Sequence, residues 1–165
     1  MRHLRALLLV VLFLAASFFD VQAQTISSAK TTIVYPASGT LTELLAAKEV
    51  RRYVYLRSGQ LLDAKPVVSL PATGDLIVVA AHSSTLLASL RDPIGYEPTA
   101  GQTLLKSVAA DGRIILVVSG ADADATLMAA YRYAETIGVG FDLAGDAIPD
   151  TRTALSLSGF DEVGR

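Results

Sequence analysis

The sequence predicts an α/β (α+β) domain in which a mixed β-sheet is packed by two main helices. Three observations carry this prediction. Apolar, β-branched runs alternate with helical stretches along the chain. Two of those stretches, beginning at Thr40 and at Asp122 or Asp124, have a polar cap at the start and a glycine stop at the end. Between them, Asp111-Gly112 joins two apolar segments as a tight hairpin turn.

The elements follow in order. Thr31 to Tyr35 (TTIVY), closed by Pro36, reads as a first strand. Thr40 with Glu43 three residues later is a capping box. After it Leu44, Ala47, Val50 and Val54 make an apolar helical stripe, and Ser58-Gly59 supplies a left-handed exit. Val67 to Leu70, between Pro66 and Pro71, is a weak second strand. Leu76 to Ala81 (LIVVAA) is continuously apolar, as a strand covered on both faces should be. Ser83 or Ser84 caps a short helical turn from Thr85 to Leu90, ended by Asp92-Pro93. Thr103 to Val108 and Ile114 to Ser119 flank the hairpin turn, and the second arm is apolar enough to be central. Asp122 or Asp124 caps a helix from about Ala125 to Ile137, with Leu127, Tyr131 and Ala134 as its buried stripe. Val139 to Leu143 is a short last strand, Gly145 to Pro149 turns outward, and Ala154 to Leu157 alternates as a final exposed strand.

The N-terminus precedes the fold. Arg2, His3 and Arg5 lead into an uncharged, largely apolar run from Ala6 to Phe19, and Val21 and Ala23 stand at −3 and −1 of a signal-peptidase site. As a helix, that run spans only about 21 Å, short of a hydrocarbon core of ~30 Å. Residues 1–23 are therefore expected to be a cleaved signal peptide of an exported, periplasmic or extracellular protein, with no stable membrane anchor afterwards. Cleavage removes Arg2, Arg5 and Asp20, so a net charge of −2 becomes −3. Without a basic stripe, nucleic acid is not an expected partner. The chain has no cysteine, which excludes a disulfide framework and a lipid-anchored N-terminus. About 140 residues are enough to bury roughly two-thirds of the unfolded surface in one core.

Candidate chemistry is sparse. A helix N-terminus can cradle phosphate, but Gly120 to Ala125 offers one glycine and two carboxylates where a dinucleotide fingerprint needs three glycines. Helix capping accounts for it better. Asp142, Asp146 and Asp150 cluster near a strand end and could supply the acid and base of glycoside hydrolysis, yet exit-loop carboxylates are usually solvated. Asp146 is expected to bond loop amides. His82, the one histidine after signal removal, lacks co-ligands for a zinc site. Beside it Ser83 and Ser84 lack the Gly-x-Ser-x-Gly elbow and a second histidine. Four tyrosines (Tyr53, Tyr55, Tyr131, Tyr133) could stack on sugars. Tyr131 is read as core, and Tyr133 and Tyr55 as more exposed. No catalytic, cofactor-binding or metal-ligating residue is assigned, and no cofactor is implied.

A series of short motifs stands in a definite order: Ala46-Ala47, Leu56, Ser58-Gly59, Ile114 to Gly120, Tyr131, Glu135, Gly138-Val139, Phe141 and Gly145-Asp146-x-Ile148-Pro149. In that order the chain, from Thr31 to Arg165, resembles the N-terminal accessory domain that precedes the catalytic barrel of β-N-acetylhexosaminidases, α-glucuronidases and related glycoside hydrolases. It departs at Ala125 and Met128, where such domains commonly carry glycine and tyrosine. The resemblance implies a zinc-protease-like fold without its metal centre, packed against the barrel, with the catalytic residues chiefly in the barrel. It therefore implies an α/β domain over residues 24–150 and a tail, 151–165, leading toward a downstream catalytic barrel as partner. Carbohydrate is a second possible partner. The chain is then a fragment of a glycoside hydrolase; the alternative is a stand-alone small periplasmic protein that binds a ligand or partner.

Overall fold

The computed structural model describes residues 30–165. The signal peptide expected at residues 1–23, and residues 24–29 after it, lie outside the described residues. The chain runs β1 (Thr32–Pro36), α1 (Leu41–Ser58), β2 (Asp63–Val67) and β3 (Leu76–Val79). A 3₁₀ helix (Thr85–Leu90) then continues directly into a one-turn α2 (Arg91–Ile94). There follow β4 (Thr103–Ala110), β5 (Arg113–Gly120), α3 (Ala123–Thr136), β6 (Gly140–Asp142), β7 (Gly145–Ala147) and β8 (Asp161–Gly164).

The main sheet has the order β2-β1-β3-β5-β4-β8, and β6-β7 form a separate two-stranded sheet. Strand β1 is parallel to β2 and β3, and β3 to β5, while β4 runs antiparallel to β5 and β8. This is the mixed sheet that the alternation of strands and helices predicts. Period-two alternation splits the central strands between two cores. Ile33, Ile77, Val79, Leu116 and Val118 face α1 and α3. Val34, Leu76, Val78, Ile115 and Val117 face the 3₁₀ segment, through Leu86, Leu87 and Leu90. The continuous apolar runs of β3 and β5 thus have the reason expected of them: both faces are covered.

Local chemistry sets the ends. Helix α1 opens on the complete Thr40/Glu43 capping box and closes with the Gly59 amide donating to Tyr55 O at 2.8 Å. In the β4–β5 hairpin, Ala110 pairs with Arg113, leaving Asp111 and Gly112 as a two-residue loop with φ of 51° and 74°. Those are the positive values that a type I′ turn requires.

Five expectations change, the first being that the turn from Thr85 is not ended by Asp92-Pro93 but runs on through both to Ile94. The second strand is Asp63–Val67 rather than Val67 to Leu70. It is an edge strand, where Pro66 is tolerated, and its exposed side chains erase the apolar signal. The buried stripe of α3 is Ala125, Thr126, Ala129, Ala130, Tyr133 and Ala134, not Leu127 and Tyr131. This helix packs against β5 and α1 together, so small residues occupy its inner side. Gly145 to Pro149 does not simply turn outward, because Gly145–Ala147 pairs with Gly140–Asp142. Finally, Ala154 to Leu157 is not a strand. Leu157 is buried in the helix-side core, Ser107 Oγ donates to its carbonyl at 2.7 Å, and the last strand is β8, paired with β4.

Candidate functional site

Helices α1 and α3 both start from the carboxyl ends of parallel strands. Beyond β1 the chain crosses to β2 on one side, and β3 lies on the other, which makes a topological switch point. A shallow crevice of about 400 Å³ opens there, between the loops that follow β1, β3 and β5. Its helix termini are already satisfied. Glu43, almost fully buried, accepts from Thr40 N at 2.8 Å through Oε2 and from Ala81 N at 2.9 Å through Oε1. Asp122 Oδ1 accepts from Ala125 N at 2.8 Å, so Asp122, not Asp124, is the cap. Two carboxylates thus neutralise the positive ends of both helices, and the crevice is not built for phosphate. Ser38, Ser83 and Thr85 also line it.

His82 and the serines do not form a nucleophilic set. Ser84 Oγ accepts from Leu86 N at 3.3 Å and caps the 3₁₀ helix, while Ser83 lies on the crevice wall. His82 is only 6% exposed, and among the described residues its Nδ1 has no hydrogen-bond partner. Burial holds its pKa below 6.5, with Glu97 opposing that shift and Arg91 adding to it. Unfolding restores the ordinary value, so the unfolded chain binds the extra proton first. The stabilisation is complete above pH 6.5 and is lost as pH falls from there through the lowered folded value. His82→Asn is therefore expected to flatten the fall in urea midpoint between pH 7.5 and 5; an unchanged slope would contradict the assignment.

The carboxylates of the exit segment do not converge. In the β6–β7 register Phe141 faces Asp146 and Asp142 faces Gly145. Asp142 and Asp146 consequently point to opposite sides of the hairpin. Asp142 Oδ1 accepts from Ala144 N at 2.7 Å, the loop-amide role expected of Asp146. Asp146 instead accepts from Tyr53 OH at 2.9 Å and pairs with Arg52 Nη2 at 2.7 Å. Asp150 is exposed.

This network, absent from the sequence reading, pins the hairpin to the helices. Tyr53, Tyr131 and Phe141 meet edge to face, with ring centroids 5.6 to 6.4 Å apart. Burial and the bond to Asp146 push the Tyr53 hydroxyl up to about 12. The expected exposures of two tyrosines are reversed: Tyr133 is fully buried and Tyr131 only half-buried, because Tyr133 lies on the sheet side of α3 against Phe160. Tyr55 is exposed, as expected. Below the stack, buried Arg57 donates from Nε to Ile137 O at 2.8 Å, and from Nη1 to Pro149 O at 3.1 Å and Thr151 O at 2.8 Å. Neither arginine carries a sequence signal, since an arginine on a helix normally reads as solvated. Tyr53→Phe should cost about 1 kcal/mol in urea unfolding, because the Arg52–Asp146 pair survives it. A loss near zero would mean that the hydroxyl bond adds nothing.

Among the described residues no group of three His, Cys, Asp or Glu side chains could hold a metal ion, and no helix is long and apolar enough to cross a membrane. No family model and no curated protein matches the sequence. Among solved structures, the chain is similar to a family GH115 4-O-methyl-α-glucuronidase with specificity for decorated arabinogalactans, at 20% identity and a TM-score of 0.53. The likeness covers 82% of this chain and 18% of that one, so the chain spans less than a fifth of that enzyme's length. What the two share is the fold, found in this chain over most of its residues and in the larger protein as a small part.

Proposed function

We propose that the chain is a non-catalytic N-terminal accessory domain of an exported glycoside hydrolase acting on polysaccharide or oligosaccharide. Its role is to buttress the catalytic barrel. The observation that carries this reading is the fold likeness to a small part of a much longer glucuronidase. Asp142 and Asp146, turned to opposite sides of the hairpin and each engaged within the domain, agree with it. The basic start and apolar run of the first 23 residues support export.

The test is hydrolysis of chromogenic glucuronides and N-acetylhexosaminides by residues 24–165 alone. The expected rate is that of buffer, unchanged by Asp142→Ala or Asp146→Ala. Turnover that either substitution abolishes would overturn the reading. The crevice at the strand ends favours a second reading, a stand-alone periplasmic protein binding a neutral polar ligand. Saturable sugar binding by the isolated chain, lost in Ser83→Trp, would favour it.

A further inference from the structure

Two buried polar groups lie on neighbouring strand ends, on the side of the sheet that the 3₁₀ helix covers. Along β3, Val78 and Ala80 belong to that side, and the next position in the alternation is His82. Along β5, Ile115 and Val117 belong to it, and the next is the fully buried Ser119. The pairing of β3 with β5 continues past both strands, with Ala80 N donating to Val118 O at 3.3 Å and His82 N to Gly120 O at 2.8 Å. Among the described residues neither His82 Nδ1 nor Ser119 Oγ has a hydrogen-bond partner.

The segment Gly95–Gly101 spans this end of the sheet. It leaves the core at Ile94 and rejoins the sheet at Gln102, whose carbonyl accepts from Ala121 N at 3.1 Å, just before Leu104 pairs with Ser119. Glycines with φ of 66° and 75° bound it, and a Cβ at either would meet no atom closer than 3.8 Å. They supply backbone freedom rather than close packing, as hinge positions do. One side chain latches the segment. Gln102 Oε1 accepts from Tyr96 OH at 2.9 Å, Thr99 N at 2.8 Å and Thr99 Oγ1 at 2.8 Å, and Gln102 N donates to Thr99 O at 2.9 Å. Among the described residues, the hydrogen bonds of Tyr96 to Gly101 all go to Gln102, and Pro98 is the one residue of the segment that is buried.

We propose that Gly95–Gly101 is a pH-operated lid over the carboxyl ends of β3 and β5, closed while His82 is neutral and released when it is protonated. Burial dominates the titration of His82 and holds its pKa below 6.5, Glu97 of the lid opposes that shift, and Arg91 of α2 adds to it. The other elements around it bring the neutral Ser119 from β5 and, from α1, Glu43, which ends on the neighbouring Ala81 amide. In the open form the imidazole regains water and its ordinary value, so the added proton favours opening. Release therefore begins as pH falls below 6.5 and is complete below the closed-form value.

The test introduces one thiol, Pro98→Cys, into a chain without cysteine. Its reaction with a neutral aromatic disulfide is measured relative to the same chain unfolded in urea at the same pH. The relative rate should rise roughly threefold or more from pH 7.5 to 5 and respond little to urea below the unfolding transition. His82→Asn should abolish the rise, and Gln102→Ala should raise the rate already at pH 7.5. In the unsubstituted chain, exchange of the Thr99 and Gln102 amides, corrected for intrinsic rate, should follow the same pH course. Exchange that does not change with pH, or a pH response that persists in His82→Asn, overturns the lid. So does a rise with the full urea dependence of global unfolding, because the thiol then reports loss of the whole fold.

Discussion

Arg57→Ala is expected to lower the stability of the domain by about 3 kcal/mol. The side chain is 5% exposed and donates to three carbonyls that belong to the segment after α3, those of Ile137, Pro149 and Thr151. Its own carbonyl accepts from Thr153 N at 2.8 Å. One guanidinium thereby ties the end of α1 to the start and the exit of the β6–β7 hairpin. Truncation removes three part-buried hydrogen bonds at once, each to a charged donor and so worth more than a neutral bond. Lysine carries a single point of donation and should recover only part of the loss. The measurement is the urea midpoint at constant m-value. A shift below about 0.5 kcal/mol would mean that water replaces the guanidinium and that Arg57 does not organise the exit.

Gly120→Val should be as costly, about 3 kcal/mol, and for a different reason. Gly120 ends β5 where α3 crosses closest to the sheet. A Cβ there would lie 2.3 Å from Ala125 C and 2.5 Å from Thr126 N. Both are backbone atoms of the first turn of α3, so no side chain can rotate away; the helix itself must lift. Ala125, Ala129 and Ala130 keep the inner side of that helix small over its first half, ahead of Tyr133, and so allow its close approach. Lifting it opens the core around Leu116 and Val118. The expected signature is a lower midpoint with loss of near-ultraviolet tyrosine ellipticity while far-ultraviolet helix content persists. Full stability in Gly120→Val would show that α3 has room to move outward.

What the sequence makes legible follows from where its signals are local. The capping box at Thr40, the aspartate cap and the Asp111-Gly112 turn each act within a few residues, and each is found where its chemistry places it, with the structure choosing Asp122 over Asp124 as the cap. The apolar runs of β3 and β5 identify the centre of the sheet because burial on both faces leaves no alternation to interpret. Edges are a different matter. Strands β2 (DAKPV) and β8 (DEVG) carry no apolar run of their own and exist because a neighbour offers a free edge, which short-range pattern does not record. The alanine stripe of α3 misleads in the same way: ranking by hydrophobicity selects Leu127 and Tyr131, whereas close packing selects Ala129 and Ala130. The roles of Arg52, Arg57 and Asp146 depend on contacts between residues about 80 to 94 positions apart, beyond any local rule.

The central claim is that this domain belongs to a longer glycoside hydrolase, and the most direct measurement is to read the native gene past the codon for Arg165. The account predicts an open frame long enough for a catalytic barrel, with strands and helices alternating through it. A stop codon immediately after Arg165 would contradict it and make the crevice at the strand ends the place to look for function.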